Sequence, residues 1–185
     1  MHKFKSSINE SKNFSNLSIK DVEPKFKINL RGKNREFLKK VGKLLSIILP
    51  YEPNTSASNQ EISILWVGPD EWLIYSNQID LKKFNTIGES LYTELYQSNN
   101  GAVTYVSDQY TCINIKGDKF YDLISKNCPL DLSIFEKNTG NVCQTIINGI
   151  DVIIHQIDSA EFNIFIRRSF AKHLYLWLCD TASRL

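Results

Sequence analysis

Proton transfer near neutral pH needs a histidine, or a carboxylate whose surroundings shift its proton affinity. The 185-residue chain has three histidines, His2, His155 and His173. His2 falls in a polar leader, His155 in a strand among Ile153, Ile154 and Ile157, and His173 in a C-terminal helical pattern. A single histidine in an apolar strand reads as a hydrogen-bonded core residue rather than a base. Asp70 and Glu71 form the compact carboxylate pair beside an aromatic, Trp72. Adjacent residues point to different sides, so the two are poorly placed to share a substrate proton. Asp70 follows Pro69 and is expected to bond the backbone of its own turn. Arg167 and Arg168 stand at the mouth of a helix and could hold an anion at its N-terminus. Pairing with carboxylates of a neighbouring subunit is the favoured reading for both.

The four cysteines, Cys112, Cys128, Cys143 and Cys179, are separated by 16, 15 and 36 positions. None has the short spacing of a zinc or redox site, and no closely spaced histidine pair accompanies them. They read as reduced, mostly buried thiols of a cytoplasmic protein. Glycine-rich phosphate loops, dinucleotide fingerprints and serine nucleophile elbows are all missing. A chain without base, nucleophile, metal or cofactor motif is read as noncatalytic, so no catalytic, cofactor-binding or metal-binding residue is assigned.

These residues need a scaffold, and the composition supplies one. Hydrophobic residues make up 42% and charged residues 23%, which excludes disorder over most of the length. The first sixty residues carry twelve Lys/Arg and five Asp/Glu, net +7; the other 125 carry ten and fifteen, net −5. The basic excess begins in a Ser/Asn/Lys-rich leader, residues 1–21, with few apolar residues and no period. Residues 1–24 therefore read as a flexible basic arm. Such an arm could touch nucleic acid, dock on an acidic protein or stay solvated; without aromatic–basic interleaving, no nucleic-acid partner is expected. Residues 1–11 are polar where a secretory segment would be apolar, so no signal peptide is expected. The longest apolar run, 44–49, falls far short of a membrane span, so no membrane association is expected.

Residues 25–185 alternate strands and helices, and they do so twice. Phe26, Ile28 and Leu30 alternate with polar residues in a strand ending at Gly32. Phe37, Val41, Leu44, Leu45 and Ile48 predict an amphipathic helix over 34–49, closed by Pro50. A loop over 51–59 leads to a hairpin that starts at Ile62, turns at Gly68-Pro69-Asp70 and returns over 72–75. A second helix fits 80–97, with Leu81, Phe84, Ile87, Leu91 and Leu95 on one side. Strands at 103–107 and 111–115, a helix at 118–127, strands at 143–147, 152–157 and 161–167, and a helix at 170–182 capped by Ser169 complete the order.

Gly32 and Gly117 lie 85 positions apart, the segments starting at Glu71 and Glu161 lie 90 apart, and helix starts Asp80 and Ser169 lie 89 apart. The near-constant offset predicts an α+β fold of two pseudo-repeated β-α-β-β-α units, over about 25–100 and 101–185.

Four stretches resemble the gamma subunit of heterotetrameric sarcosine oxidase. They are Trp66-Val67-Gly68-Pro69-Asp70-Glu71-Trp72-Leu73-Ile74; Val106-Ser107-Asp108 through Ile115-Lys116-Gly117; Cys128-Pro129-Leu130-Asp131-Leu132 with Phe135; and Arg168-Ser169-Phe170-Ala171 leading to Trp177-Leu178. The chain departs from that family's pattern after Phe135, where a Pro-Gly pair is missing, and at Gln156, where a basic residue is common.

The resemblance implies a fold similar to the folate-binding aminomethyltransferase domain. It also implies a structural, noncatalytic role in a complex that oxidatively demethylates sarcosine to glycine. That complex reduces oxygen to hydrogen peroxide and forms methylenetetrahydrofolate when tetrahydrofolate is present, a step of one-carbon metabolism. FAD, FMN, NAD, zinc and the folate site are implied in the alpha, beta and delta partners, with alpha the chief contact. The competing readings are a free-standing folate-binding aminomethyltransferase relative and a nucleic-acid binder using the basic arm. Trp66 and Trp72 flank the tight turn; core burial of both is the plain reading, and an outward-facing tryptophan would make an interface anchor. The Gly68–Trp72 hairpin, whose turn Trp66 and Trp72 flank, and the corner at 167–171, carrying Arg167 and Arg168, are expected at equivalent corners that support the fold and its contact with alpha.

Overall fold

The computed structural model describes residues 6–22, 26–76, 81–136 and 139–185. Among them the chain forms, in order, β1 (Ser11–Phe14), β2 (Leu17–Asp21), β3 (Phe26–Arg31), α1 (Arg35–Leu45), β4 (Ser56–Ser58), β5 (Ser63–Gly68), β6 (Glu71–Ser76) and α2 (Leu81–Gln97). It continues with β7 (Ala102–Tyr105), β8 (Tyr110–Lys116), α3 (Phe120–Ser125), a 3-10 turn (Leu132–Phe135), β9 (Val142–Ile147), β10 (Ile150–Asp158), β11 (Glu161–Arg167) and α4 (Arg168–Ala182). The α+β class follows. Two compact units emerge: a contiguous one, Pro24–Ser107, and a composite one of Met1–Glu23 with Asp108–Leu185.

The contiguous unit holds a five-stranded sheet in the order β4-β5-β6-β3-β7. Phe26, Ile28 and Leu30 turn one face of β3 toward α1 and α2, where they meet Phe37, Val41 and Leu91. Asn34 starts α1 by accepting the Phe37 amide at 2.7 Å. The helix stops at Leu45, four residues before its expected end, because Ser46 takes a left-handed conformation (φ 53°) as its C-cap. Ile48 therefore lies past the helix and is exposed, whereas Phe37, Val41 and Leu45 are buried. The short strand β4 falls in the stretch read as a loop. Asp80, the expected start of α2, lies outside the described residues.

The composite unit holds a six-stranded sheet in the order β1-β2-β8-β11-β10-β9. One face packs on α3 and α4: Phe120 stacks on Phe162 at 3.5 Å, and Phe135 meets the Phe162 edge at 5.5 Å. Helix α4 contributes Ala171, Leu174, Tyr175, Leu178, Cys179 and Ala182, the apolar stripe of a helix on a sheet. It begins at Arg168 with Arg167 as N-cap, two residues before the expected start, and Ser169 does not cap it.

Residues 6–22 are not a flexible arm. Strand β2 pairs with β8 from Ser18 opposite Lys116 to Asp21 opposite Ile113, and β1 pairs with β2. Ile8, Leu17 and Ile19 enter the core, which is why the segment is ordered despite its Lys/Ser/Asn composition. Residues 1–5 and 23–24 of the expected arm lie outside the described residues. The boundary also moves: β7 belongs to the contiguous sheet, which closes at Ser107 rather than at residue 100. Among the described residues no helix is long and apolar enough to cross a membrane.

Candidate functional site

The hairpin of β5 and β6 carries the residues most expected to face a partner. Trp66 stands directly opposite Trp72 across the strands, and the register then shifts before Gly68 pairs with Glu71. Directly opposed residues project to one face of a sheet, so the two rings cannot divide between core and solvent. That face is the helix side. Trp72 is 3% exposed, tilted against Phe37 at 5.6 Å, and its indole Nε1 donates to the Pro50 carbonyl at 2.7 Å. Trp66 is half-buried against the same core. Trp72 is thus a core residue and not an outward anchor.

The turn itself is a fastening. The Gly32 amide donates to the Asp70 carbonyl at 3.0 Å, and a Cβ at Gly32 would lie 2.4 Å from the Phe37 ring. The expected side-chain bond from Asp70 to its turn is replaced by a main-chain one, and the Asp70 carboxylate lies 3.7 Å from Lys33 Nζ. Glu71 accepts from Asn29 Nδ2 at 2.6 Å and pairs with Arg31.

The second expected corner lies in the other unit. Arg167 holds its guanidinium over the Tyr110 ring at 6.0 Å. The Arg168 amide donates to the Gln109 carbonyl at 2.9 Å, and its guanidinium meets Asp108 at 3.3 Å. The carboxylate expected from a neighbouring subunit is supplied, for Arg168, within the chain. The two corners are also not equivalents. The counterpart of the turn before β6 is the turn before β11, where the Gly117 amide donates to the Ala160 carbonyl at 2.9 Å; Arg167 lies at the far end of β11.

The remaining stretches likewise close corners. Lys27 is buried, its amide donating to Ser107 Oγ and its Nζ to the Ser107 carbonyl, both at 3.0 Å. Asp131 accepts the Ser133 amide at 3.0 Å, and that bond holds its carboxyl below the usual range. His155 is buried, and burial pushes its imidazole down to about 4, so it is neutral at physiological pH. All four cysteines are free thiols. Burial pushes Cys143 and Cys179 up, away from thiolate chemistry. Among the described residues no group of three or more His, Cys, Asp or Glu could hold a metal ion.

What the surface does offer is aromatic. Tyr92 and Tyr96 stack on α2 at 5.5 Å and are 53% and 71% exposed, and Tyr105 on β7 is 50% exposed. On α4, Phe170 and Leu176 are exposed. The signal for the tyrosine pair was present in the sequence: two aromatics four apart on a helix whose buried stripe runs through Phe84, Leu91 and Leu95.

Comparison with known proteins yields a family and a fold. Residues 32–184 match the model of the family described as "Sarcosine oxidase, gamma subunit family". A curated relative, sarcosine oxidase subunit gamma of Corynebacterium sp. (strain U-96), is 26% identical over 121 residues, 65% of this chain. That alignment spans 56% of the relative's own length. Among solved structures, heterotetrameric sarcosine oxidase from Corynebacterium sp. U-96 in complex with pyrrole 2-carboxylate superposes with a TM-score of 0.81 at 22% identity, covering 91% of this chain and 84% of that chain. Glycine cleavage system aminomethyltransferase T from Bartonella henselae gives 0.64 at 10% identity, covering 88% of this chain and 45% of the other. The fold is therefore one shared with an aminomethyltransferase.

Proposed function

The chain belongs to the sarcosine oxidase gamma subunit family, and from that membership we propose that it serves as the noncatalytic gamma subunit of a heterotetrameric sarcosine oxidase. In this reading the assembled complex oxidatively demethylates sarcosine to glycine, reduces oxygen to hydrogen peroxide, and forms methylenetetrahydrofolate from tetrahydrofolate. Flavins, NAD, zinc and the folate site reside in the alpha, beta and delta partners, and the complex works in the cytoplasm. This chain contributes assembly, chiefly through alpha.

The family match across 32–184 carries the reading. The geometry supports it: the motif stretches close corners of the fold instead of converging on a reacting atom. Of the four residues expected at the contact, Trp66, Arg167 and Arg168 retain exposed surface and stay in the proposal; the buried Trp72 leaves it.

The test is a pull-down of the tagged chain from its native source, followed by native mass spectrometry and an absorption spectrum. A stoichiometric complex of four different chains with a flavin spectrum is expected. A colourless chain recovered alone overturns the reading, and tetrahydrofolate binding by that isolated chain would then favour a free-standing folate-binding aminomethyltransferase relative.

A further inference from the structure

We propose that the outer edge of β7 receives an extended segment of a partner subunit, which adds a strand antiparallel to β7 and covers the tyrosines of α2. The inference rests on the subunit reading above.

The precedent is inside the chain. Strand β7 sits on β3 as β2 sits on β8: Ala102 opposes Arg31 and Tyr105 opposes Ile28, while Ser18 opposes Lys116 and Asp21 opposes Ile113. Both ladders extend alike, with the Val106 amide donating to the Lys27 carbonyl at 2.9 Å and the Val22 amide to the Cys112 carbonyl at 3.1 Å. In the composite unit a further strand, β1, pairs on the far side of β2. In the contiguous unit β7 ends the sheet, and among the described residues nothing pairs on its far side.

The vacant place is equipped for a strand. Because Val106 bonds Lys27, ladder alternation directs the N–H and C=O of Val103 and Tyr105 away from β3. The edge sequence Ala102-Val103-Thr104-Tyr105 has no Pro, Lys or Glu, the devices that blunt exposed edges. Strand addition to such an edge gains affinity from main-chain bonds and specificity from flanking side-chain pockets.

The flanking helix agrees. Setting buried Leu91 beside buried Leu178, and Leu95 beside Ala182, places Tyr92 at the position of Cys179. Cys179 is 4% exposed, with Glu10 and Lys12 of the β1 segment close enough for their charges to act on its thiol. Glu10 also pairs with Lys172 of α4, tying that segment to the helix. Tyr92, at the uncovered counterpart, stands in solvent, stacked on the likewise exposed Tyr96. The incoming segment therefore carries an apolar or aromatic side chain against these rings, and a basic residue suits Glu89, whose charge acts on Tyr105.

The test is amide hydrogen exchange on the full chain, alone and co-assembled with the other subunits of the complex. The Val103 and Tyr105 amides are expected to exchange at open-edge rates in the chain alone and at least ~10-fold more slowly in the complex. Val103→Pro removes an outward donor while sparing the bonds to β3, and should weaken assembly by about tenfold or more. The double change Tyr92→Ser with Tyr96→Ser, at two exposed positions that leave the core intact, should do the same, while Ile48→Ser, at the exposed position past α1, should not. A complex that forms while both amides keep their open-edge rates overturns the proposal and leaves the subunit reading standing. Failure of the wild-type chain to join any complex overturns both. Protection that rises with the concentration of the chain alone makes the occupant a second copy and overturns the partner-strand assignment.

Discussion

Glu71 and Glu161 occupy the same place in two different sheets. Glu71 begins β6 opposite Arg31 of β3, and accepts from that residue and from Asn29 two positions before it. Glu161 begins β11 opposite Lys116 of β8, and accepts from that residue and from Asn114 two positions before it. Residues 29, 31 and 71 thus recur as 114, 116 and 161, at the offsets of 85 and 90 that the glycine and hairpin landmarks have. Strand orders agree too, β4-β5-β6-β3-β7 beside β9-β10-β11-β8-β2. Each sheet thus follows the order β-α-β-β-β-α along the chain, one strand more than the expected β-α-β-β-α unit, with β2 and β7 in corresponding edge places.

The two carboxylates are not equal in consequence. Asn114 also donates to Asn163 Oδ1 at 3.0 Å, whereas among the described residues Asn29 Nδ2 donates only to Glu71. Glu71→Ala should therefore cost about 1–2 kcal/mol, the penalty for stranding a partly buried amide, and Glu161→Ala less. Urea denaturation of both variants measures the difference; equal losses would mean that the Asn114–Asn163 bond offers no substitute.

Trp72→Ala should destabilise the chain itself by about 3–5 kcal/mol, because it empties a buried site and leaves the Pro50 carbonyl without its donor. Trp66→Ala, at a half-buried site, should cost far less. The midpoint of denaturant unfolding reads both. A Trp72→Ala chain with the wild-type midpoint but poor assembly would restore this ring to the interface.

What could be read in advance follows from how strongly each element repeats its pattern. The alternation of Phe26, Ile28 and Leu30 and the helical spacing of Phe37, Val41 and Leu45 persist over enough residues to stand out. Leu17 and Ile19 show the same alternation, but over one short strand set among Ser, Asn and Lys, so composition masked it. The ends of α1 and α4 depended on backbone geometry at Ser46 and Arg167, residue types that carry no strong stop or start signal. The hairpin motif located a tight turn correctly, yet the opposition of Trp66 and Trp72 depends on register, which the motif does not state. The open edge of β7 is a property of topology and has no local signature.

His155 gives the fold a pH dependence of definite sign. Its imidazole, lowered from 6.5 to about 4 by burial, stays neutral where the unfolded chain takes up a proton. Stability from this residue is complete above pH 6.5 and is lost as pH falls toward 4, by on the order of 3 kcal/mol across the window. His155→Gln should flatten the fall between pH 7 and pH ~4.5 in denaturation curves. Identical slopes for the two chains would mean that other groups carry the acid sensitivity.

Removing residues 1–22 separates an arm from a strand. A solvated arm could be cut without effect, and its loss would only lower the positive charge. Here the cut strips β2 from β8, leaves the outer ladder of β8 unpaired, and takes Ile8, Leu17 and Ile19 out of the composite core. Each buried aliphatic side chain contributes roughly 1.5–3 kcal/mol, so three approach the net stability of a whole domain. Gly117 adds a local test of the same contact. Its φ of +139° and a Cβ position 2.1 Å from the Asn16 carbonyl mean that the turn between β1 and β2 rests on bare backbone. The truncated chain is expected to be unfolded or aggregated. Gly117→Ala is expected to stay folded but to lose amide protection in β2 at Ile19 before the rest of the sheet. A truncated chain with wild-type unfolding would show that β8 can close the sheet by itself.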